Sequence, residues 1–148
     1  MNEQIGQSSH IFIRPWKLTD AASWFSISHN EGINKFSISG YRQADLTAAE
    51  KFVEDWSRIF LRDKIGVFPV LIKNSDELIG VCGLKKATFD SEESEYVEIM
   101  YRLTDKYWGN GYATEASNIL LKYAFTTLQL NEVIGFIEKE NIASTKVL

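Results

Sequence analysis

The residues best suited to chemistry lie in one stretch: Tyr101-Arg102-Leu103-Thr104-Asp105-Lys106-Tyr107-Trp108-Gly109-Asn110-Gly111-Tyr112-Ala113-Thr114-Glu115-Ala116. The pattern is a strand that runs into a glycine-bearing loop and straight on into a helix. Gly109 and Gly111 let the backbone turn tightly and put no side chain in the way of a ligand. The amides of Asn110 to Thr114 then point out of a helix N-terminus. Unpaired N–H groups and the helix dipole there favour an anion such as phosphate. The same two glycines also suit an ordinary strand-to-helix turn, because a lone G-x-G is a weak signal. The stretch is not a Walker loop, since no Gly-Lys-Ser/Thr follows. It is not the dinucleotide fingerprint either, since the third glycine is missing.

Few other residues compete. Cys82 is the single cysteine, which excludes an intramolecular disulfide and a multi-cysteine metal site. It falls in an apolar run and reads as core. His10 and His29 have no partner at the spacing of a metal site or a triad, so neither is expected to catalyse and no metal is expected. Trp24, Phe52 and Trp56 sit at helix-core spacing. Trp16 and Phe36 are candidates to line a pocket.

Several elements must position that stretch. Ile11-Phe12-Ile13 is a short first strand that Pro15 ends. Thr19 and Asp20 start a helix that carries Ala21, Ala22, Trp24, Phe25 and Ser28. Gly32 and Gly40 break the pattern from His29 to Asp45 into a loop with at most a helical turn. Thr47-Ala48-Ala49-Glu50 has the form of a capping box. It opens a helix whose apolar face is Phe52, Val53, Trp56, Ile59 and Phe60, stopped by Gly66. Val67 to Ile72 and Leu78 to Leu84 are apolar runs joined by the polar turn Lys73–Glu77, hence a hairpin. Phe89 to Ser94 is a loop. Tyr96 to Leu103 is a fourth strand, with Val97, Ile99 and Tyr101 on one side and Glu98, Met100 and Arg102 on the other. Ala113, Ala116, Leu120, Tyr123, Ala124 and Leu128 mark a long helix. Val133 to Ile137 is a fifth strand, and Asn141 caps a last helix. The order is β-α-α-β-β-β-α-β-α, an α/β chain with a mixed sheet. The last crossover makes the fourth and fifth strands parallel. Where two such strands splay, a ligand with amide groups can bond the exposed edge as an extra strand would.

The composition agrees with one domain over 1–148. Of 148 residues, 45% are hydrophobic and 19 are aromatic, enough for a sizeable core. Twenty acidic against 16 basic residues give a net charge of −4, a poor match to nucleic acid. No apolar run approaches the roughly 18 residues of a membrane span, and Met1 to Ser9 lacks the apolar segment of a signal peptide. The expectation is a cytoplasmic protein with no membrane or nucleic-acid partner.

Trp108-Gly109-Asn110-Gly111-Tyr112-Ala113-Thr114-Glu115-Ala116 resembles the acetyl-CoA pyrophosphate loop of the GCN5-related N-acetyltransferases (GNATs), in particular the branch of Rim-type ribosomal-protein N-acetyltransferases. That branch reads W-G-x-G-Y-A-T-E-A. Glu98-Ile99-Met100-Tyr101-Arg102-Leu103 is similar to its E-I-G-Y-x-L strand, Ile13-Arg14-Pro15-Trp16 to its opening strand, and Asn141-Ile142-Ala143-Ser144 to its N-x-x-S. The blocks follow family order along nearly the whole chain.

The resemblance implies an acetyl-CoA-dependent N-acetyltransferase. Trp108 to Thr114 would hold the diphosphate, with Lys106 or Lys139 near a phosphate. The backbone of Ile99 to Leu103 would hold the pantetheine arm, and Asn141 would contact it from the other side. Transfer to an amine needs a base for the ammonium proton and benefits from a donor to the leaving thiolate, whose pKa is near 8.5. Glu98 is the candidate base and Ser144 the candidate donor, with Tyr101 as a further donor. Each also has a plain structural reading: a solvated strand glutamate, a first-turn serine and a core tyrosine.

The chain departs from the branch in two places. Met100 stands where glycine is usual, beside the expected acetyl site. The chain also ends at Lys146-Val147-Leu148, so the usual C-terminal strand pair, roughly 25 residues, is lacking. That predicts a homodimer that covers the gap. It also keeps open a CoA-binding protein without transferase activity, whose acceptor wall is incomplete, and an interaction module that has lost CoA altogether. The acceptor itself is a protein N-terminal amine or a small amine.

Overall fold

The structure, a computed structural model, describes residues 4–35, 40–88 and 95–135. Six strands form one sheet in chain order: β1 (Gly6–Gln7), β2 (Ile11–Ile13), β3 (Gly66–Ile72), β4 (Leu78–Thr88), β5 (Glu95–Leu103) and β6 (Ile134–Gly135). All neighbours are antiparallel except β5 and β6, which run parallel with Glu98 beside Ile134 and Ile99 beside Gly135. The expected mixed sheet and parallel last pair are therefore present, preceded by the two-residue strand β1.

Pro69 sits in β3 without breaking the sheet. The pairing of β2 with β3 stops at Val70, so the missing N–H of Pro69 falls beyond the end of β2. β4 runs past Leu84 because Lys85, Lys86 and Ala87 still pair with Glu98, Val97 and Tyr96.

Two apolar clusters flank the sheet, as strand alternation requires. On one face Phe68, Val70, Ile79, Cys82, Leu84, Ile99 and Leu103 pack under α4 (Tyr112–Lys122), which contributes Ala116, Ile119 and Leu120. On the other face Val67, Leu71, Val81 and Met100 pack under α1 (Ala21–Ile27) and α3 (Leu46–Asp63), which contribute Trp24, Ala49 and Val53. A single-turn helix, α2 (Glu31–Asn34), lies between α1 and α3 in the chain, where a loop with at most a helical turn is expected. The strand alternation read from β5 holds: Val97, Ile99, Tyr101 and Leu103 meet the α4 cluster, and Met100 meets the other.

The ends of α3 differ from expectation. Asp45, not Thr47, is the cap; its Oδ1 accepts the Ala48 N–H at 2.8 Å. Two cap-type residues compete here, and the earlier one wins because Leu46 and Thr47 already lie in the helix. The stop is Lys64 in a left-handed conformation (φ 61°), two residues before Gly66, which opens β3. Trp24, Phe52 and Trp56 do build an aromatic cluster, with ring centroids 4.9 Å apart for Trp24 and Phe52. Phe89 to Ser94, the C-terminal part of the last expected strand and the final helix fall outside the described residues.

Candidate functional site

β5 delivers the chain to the glycine loop through a short turn. Thr104 N–H bonds Ile79 O at 2.9 Å, so the end of β5 stays tied to β4. Asp105–Tyr107 then forms one 3-10 turn. Trp108 folds back, and its Nε1–H donates to Leu103 O at 3.0 Å, while the residue stays 41% exposed. Asn110 Nδ2 donates to Tyr107 O at 3.2 Å. These bonds shape the loop from within.

Gly109 and Gly111 have φ of 83° and 82°, which L side chains rarely adopt. A Cβ added at either would meet nothing within 4 Å. The glycines are there for backbone conformation, and the space over them is open. Gly111 is the cap of α4 and no side chain bonds the helix start. The first amides of α4, Tyr112 to Thr114, therefore have no helical acceptor of their own, as at any helix start. The expected anion cradle thus fits the residues present: left-handed glycines, an uncapped helix start and open space.

Two turns from distant parts of the chain grip this loop. Glu115, in the first turn of α4, takes the Ser8 hydroxyl and the His10 N–H (3.1 Å) on Oε1, and His10 Nδ1 (2.9 Å) on Oε2. Burial pulls its carboxyl upward, but the Ser8 and His10 bonds together hold it below its ordinary value. On the other side Tyr107 Oη donates to Glu77 Oε1 at 2.6 Å. That bond raises the phenol above its ordinary value. His10 thus has a carboxylate partner 105 residues away, beyond the reach of any local pattern.

The other candidates divide. Glu98 is half-buried on β5, opposite Lys85 of β4 and beside Ile134 of β6. Among the described residues no hydrogen bond or ion pair engages its carboxylate. By strand alternation it shares the face of Met100, which is 5% exposed in the α1/α3 cluster. Tyr101 points to the opposite face and packs against the α4 cluster. Arg102 donates through Nη1 to Tyr101 O at 2.8 Å. Glu98 and Tyr101 are thus on opposite faces of one strand, so the structure does not bring them together. Lys106 is largely exposed, and its Nζ lies 3.6 Å from Glu77 and 5.0 Å from the Tyr107 ring centroid. Trp16 is buried, and its Nε1–H donates to Val67 O at 2.7 Å. Asn141, Ser144, Lys139 and Phe36 lie outside the described residues, as does the stretch after Gly135 that would pair with or splay from Met100 to Leu103. Cys82 is fully buried, and burial pushes its thiol far above the ordinary value, so it supplies no thiolate.

Among the described residues there is no group of three or more His, Cys, Asp or Glu that could hold a metal. Among them, too, no helix is long and apolar enough to cross a membrane.

Comparison with known proteins bears on this arrangement. The family model described as an acetyltransferase (GNAT) domain matches residues 10–148. A Bacillus licheniformis protein carrying the name "Uncharacterized N-acetyltransferase p20" is 34% identical over 104 residues, covering 70% of this chain and 57% of that protein. The Bacillus subtilis "Uncharacterized protein YkkB" is 33% identical over 75 residues, covering 51% and 42%. The chain thus spans about half the length of these two relatives. Among solved structures, a ribosomal L7/L12 α-N-protein acetyltransferase in complex with coenzyme A superposes with a TM-score of 0.79 at 16% identity, covering 98% of this chain and 80% of that one. A Vibrio fischeri ribosomal-protein-S5-alanine acetyltransferase gives 0.74 at 20%, covering 98% and 79%. These two likenesses show a shared fold, and the fold is that of the Rim-type neighbours.

Proposed function

The chain belongs to the GNAT acetyltransferase domain family, and from that premise we propose that it takes acetyl-CoA and moves the acetyl group to a primary amine. The amine is a protein N-terminus or a small amine. The observation that carries the reading is the cradle at the start of α4: two left-handed glycines under open space, followed by a helix start with no side-chain cap. A diphosphate suits those amides and that dipole. Trp108 to Thr114 then hold the diphosphate. The backbone of Ile99, Met100, Tyr101, Arg102 and Leu103 runs beside the pantetheine arm, with Asn141 contacting it from the other side.

The reaction is direct attack in a ternary complex. The amine nitrogen forms a bond to the thioester carbon, the carbon–sulfur bond breaks, and the amine proton passes to Glu98 directly or through water. The leaving thiolate takes a proton from Ser144. Burial of Cys82 supports this route over a covalent acetyl-enzyme, because a fully buried thiol meets neither donor nor acceptor. A cytoplasmic setting and a homodimer belong to the same reading as expectations of the sequence. Light scattering that finds a stable monomer at micromolar concentration removes the dimer.

A free-thiol release assay over a panel of amines and peptides tests the enzyme. Release that depends on one acceptor class supports transfer; binding of acetyl-CoA with no release from any acceptor leaves a CoA-binding protein instead. Glu98→Gln is expected to slow transfer at neutral pH roughly 100-fold while acetyl-CoA binds as before. Equal activity removes Glu98 as the base.

A further inference from the structure

The glycine loop shapes itself only in part; the rest of its geometry comes from two turns at one end of the sheet. The turn between β1 and β2, Ser8 to His10, reaches α4 through Glu115, which receives three hydrogen bonds from Ser8 and His10. The turn between β3 and β4, Lys73 to Glu77, reaches the loop through the Tyr107 hydroxyl. The two turns are themselves joined, because the Lys73 N–H donates to His10 O at 2.9 Å. Inside the loop Asn110 bonds Tyr107 O, and a row of rings closes the circuit: His10 to Tyr112 at 5.8 Å and Tyr112 to Tyr107 at 6.0 Å between centroids. These contacts engage Tyr107, Tyr112 and Glu115 on either side of Trp108–Gly111, and none of them uses a backbone amide of Trp108 to Gly111.

A carboxylate in the first turn of a helix sits in the same positive field that an anion would use. Glu115 has its lone pairs occupied by three donors from another part of the chain, which disperses its charge and ties down the start of α4. A loop with two left-handed glycines has many alternatives when free, and ordering it on binding costs affinity. A frame that orders it beforehand removes that cost. We propose that Glu115 and Tyr107 are positioning residues, which fasten the glycine loop to the two hairpin turns and so preset its amides for the diphosphate of the acyl donor. The inference rests on the acetyl-CoA reading above and adds to it how the site is held ready.

Calorimetric titration of two ligands separates the possibilities: acetyl-CoA, and S-acetyl-pantetheine, which carries the same thioester arm without the diphosphate and the adenosine 3′-phosphate attached to it. In Glu115→Gln the dissociation constant for acetyl-CoA should rise about tenfold, ~1.4 kcal/mol, and in Tyr107→Phe about threefold, since that bond is more exposed. S-acetyl-pantetheine should bind both variants as it binds the unaltered protein. Unchanged acetyl-CoA affinity in both variants overturns the inference, and so does equal weakening of the two ligands, which marks a general structural role. Should Glu115→Gln fail to fold by circular dichroism, Ser8→Ala keeps the carboxylate, removes one donor and is read the same way, with about a threefold rise expected. If the unaltered protein binds no acetyl-CoA, the acetyl-CoA reading falls and takes this inference with it. If it binds and the variants match it, only the inference falls.

Discussion

β5 and the glycine loop are consecutive in the chain, yet they are held in opposite ways. β5 is paired along its whole length with β4, and its side chains enter apolar clusters on both faces of the sheet. The loop Trp108–Gly111 has none of this. Trp108 is 41% exposed, the space over both glycines is open, and the fastenings are hydrogen bonds: Trp108 donates to Leu103 O, the flanking Tyr107 donates to Glu77, and Glu115 accepts from Ser8 and His10. Burial makes the strand part of the global fold. Polar clasps make the loop a local unit whose geometry can fail while the fold stands. The strand region should therefore answer to substitution in stability, and the loop in affinity.

The largest effect is expected on the buried side of that divide. Leu120 is fully buried where α4 meets the sheet. Leu120→Ala should lower unfolding free energy by about 2–5 kcal/mol, read as a lower denaturant midpoint. The protein that remains folded should still bind acetyl-CoA. Loss of binding without loss of stability would break the comparison.

Next comes Gly111→Ala. The added Cβ meets no protein atom, so its cost is the left-handed backbone, roughly 1–2 kcal/mol. Because the Cβ also enters the open cradle, acetyl-CoA affinity of the folded variant should fall at least about tenfold. A variant that loses stability but keeps affinity would mean the cradle is not where the diphosphate lies.

The smallest effect concerns pH. Glu115 has a folded value below its ordinary 4.5, the outcome of Ser8 and His10 bonds outweighing burial. A depressed carboxyl contributes stability that is fully present above about 4.5 and is lost as pH falls through the folded value. Acid titration of stability should therefore fall more steeply in the unaltered protein than in Glu115→Gln below that point. Parallel curves would show that the clasp adds nothing to folding.

The part of the molecule governed by periodicity could be read from the sequence. The alternation of Glu98 to Leu103, the amphipathic α4, the hairpin around Lys73–Glu77 and the parallel β5–β6 pair all follow from short-range pattern and chain chirality, and the structure has them. The glycine loop was readable because positive φ leaves a mark in residue type. What could not be read were the choices between equivalent local signals and the contacts between distant turns. Asp45 and Thr47 are both good caps, and only the path of the incoming chain selects Asp45. Trp16 is apolar with one polar atom, and only the position of Val67 O shows that the atom is satisfied in the core. Ser8 and His10 meet Glu115 across more than a hundred residues, with no repeat or spacing to announce it. Glu115 belongs to the loop motif, but nothing local in the sequence marks its contacts with Ser8 and His10.

The most direct test of the acetyl-CoA cradle is a calorimetric comparison of acetyl-CoA with S-acetyl-pantetheine on the unaltered protein. The account predicts one saturable site that prefers acetyl-CoA by at least about tenfold, because the diphosphate adds charge-assisted hydrogen bonds at the start of α4. Equal affinity for the two ligands, or no binding of acetyl-CoA, would contradict it.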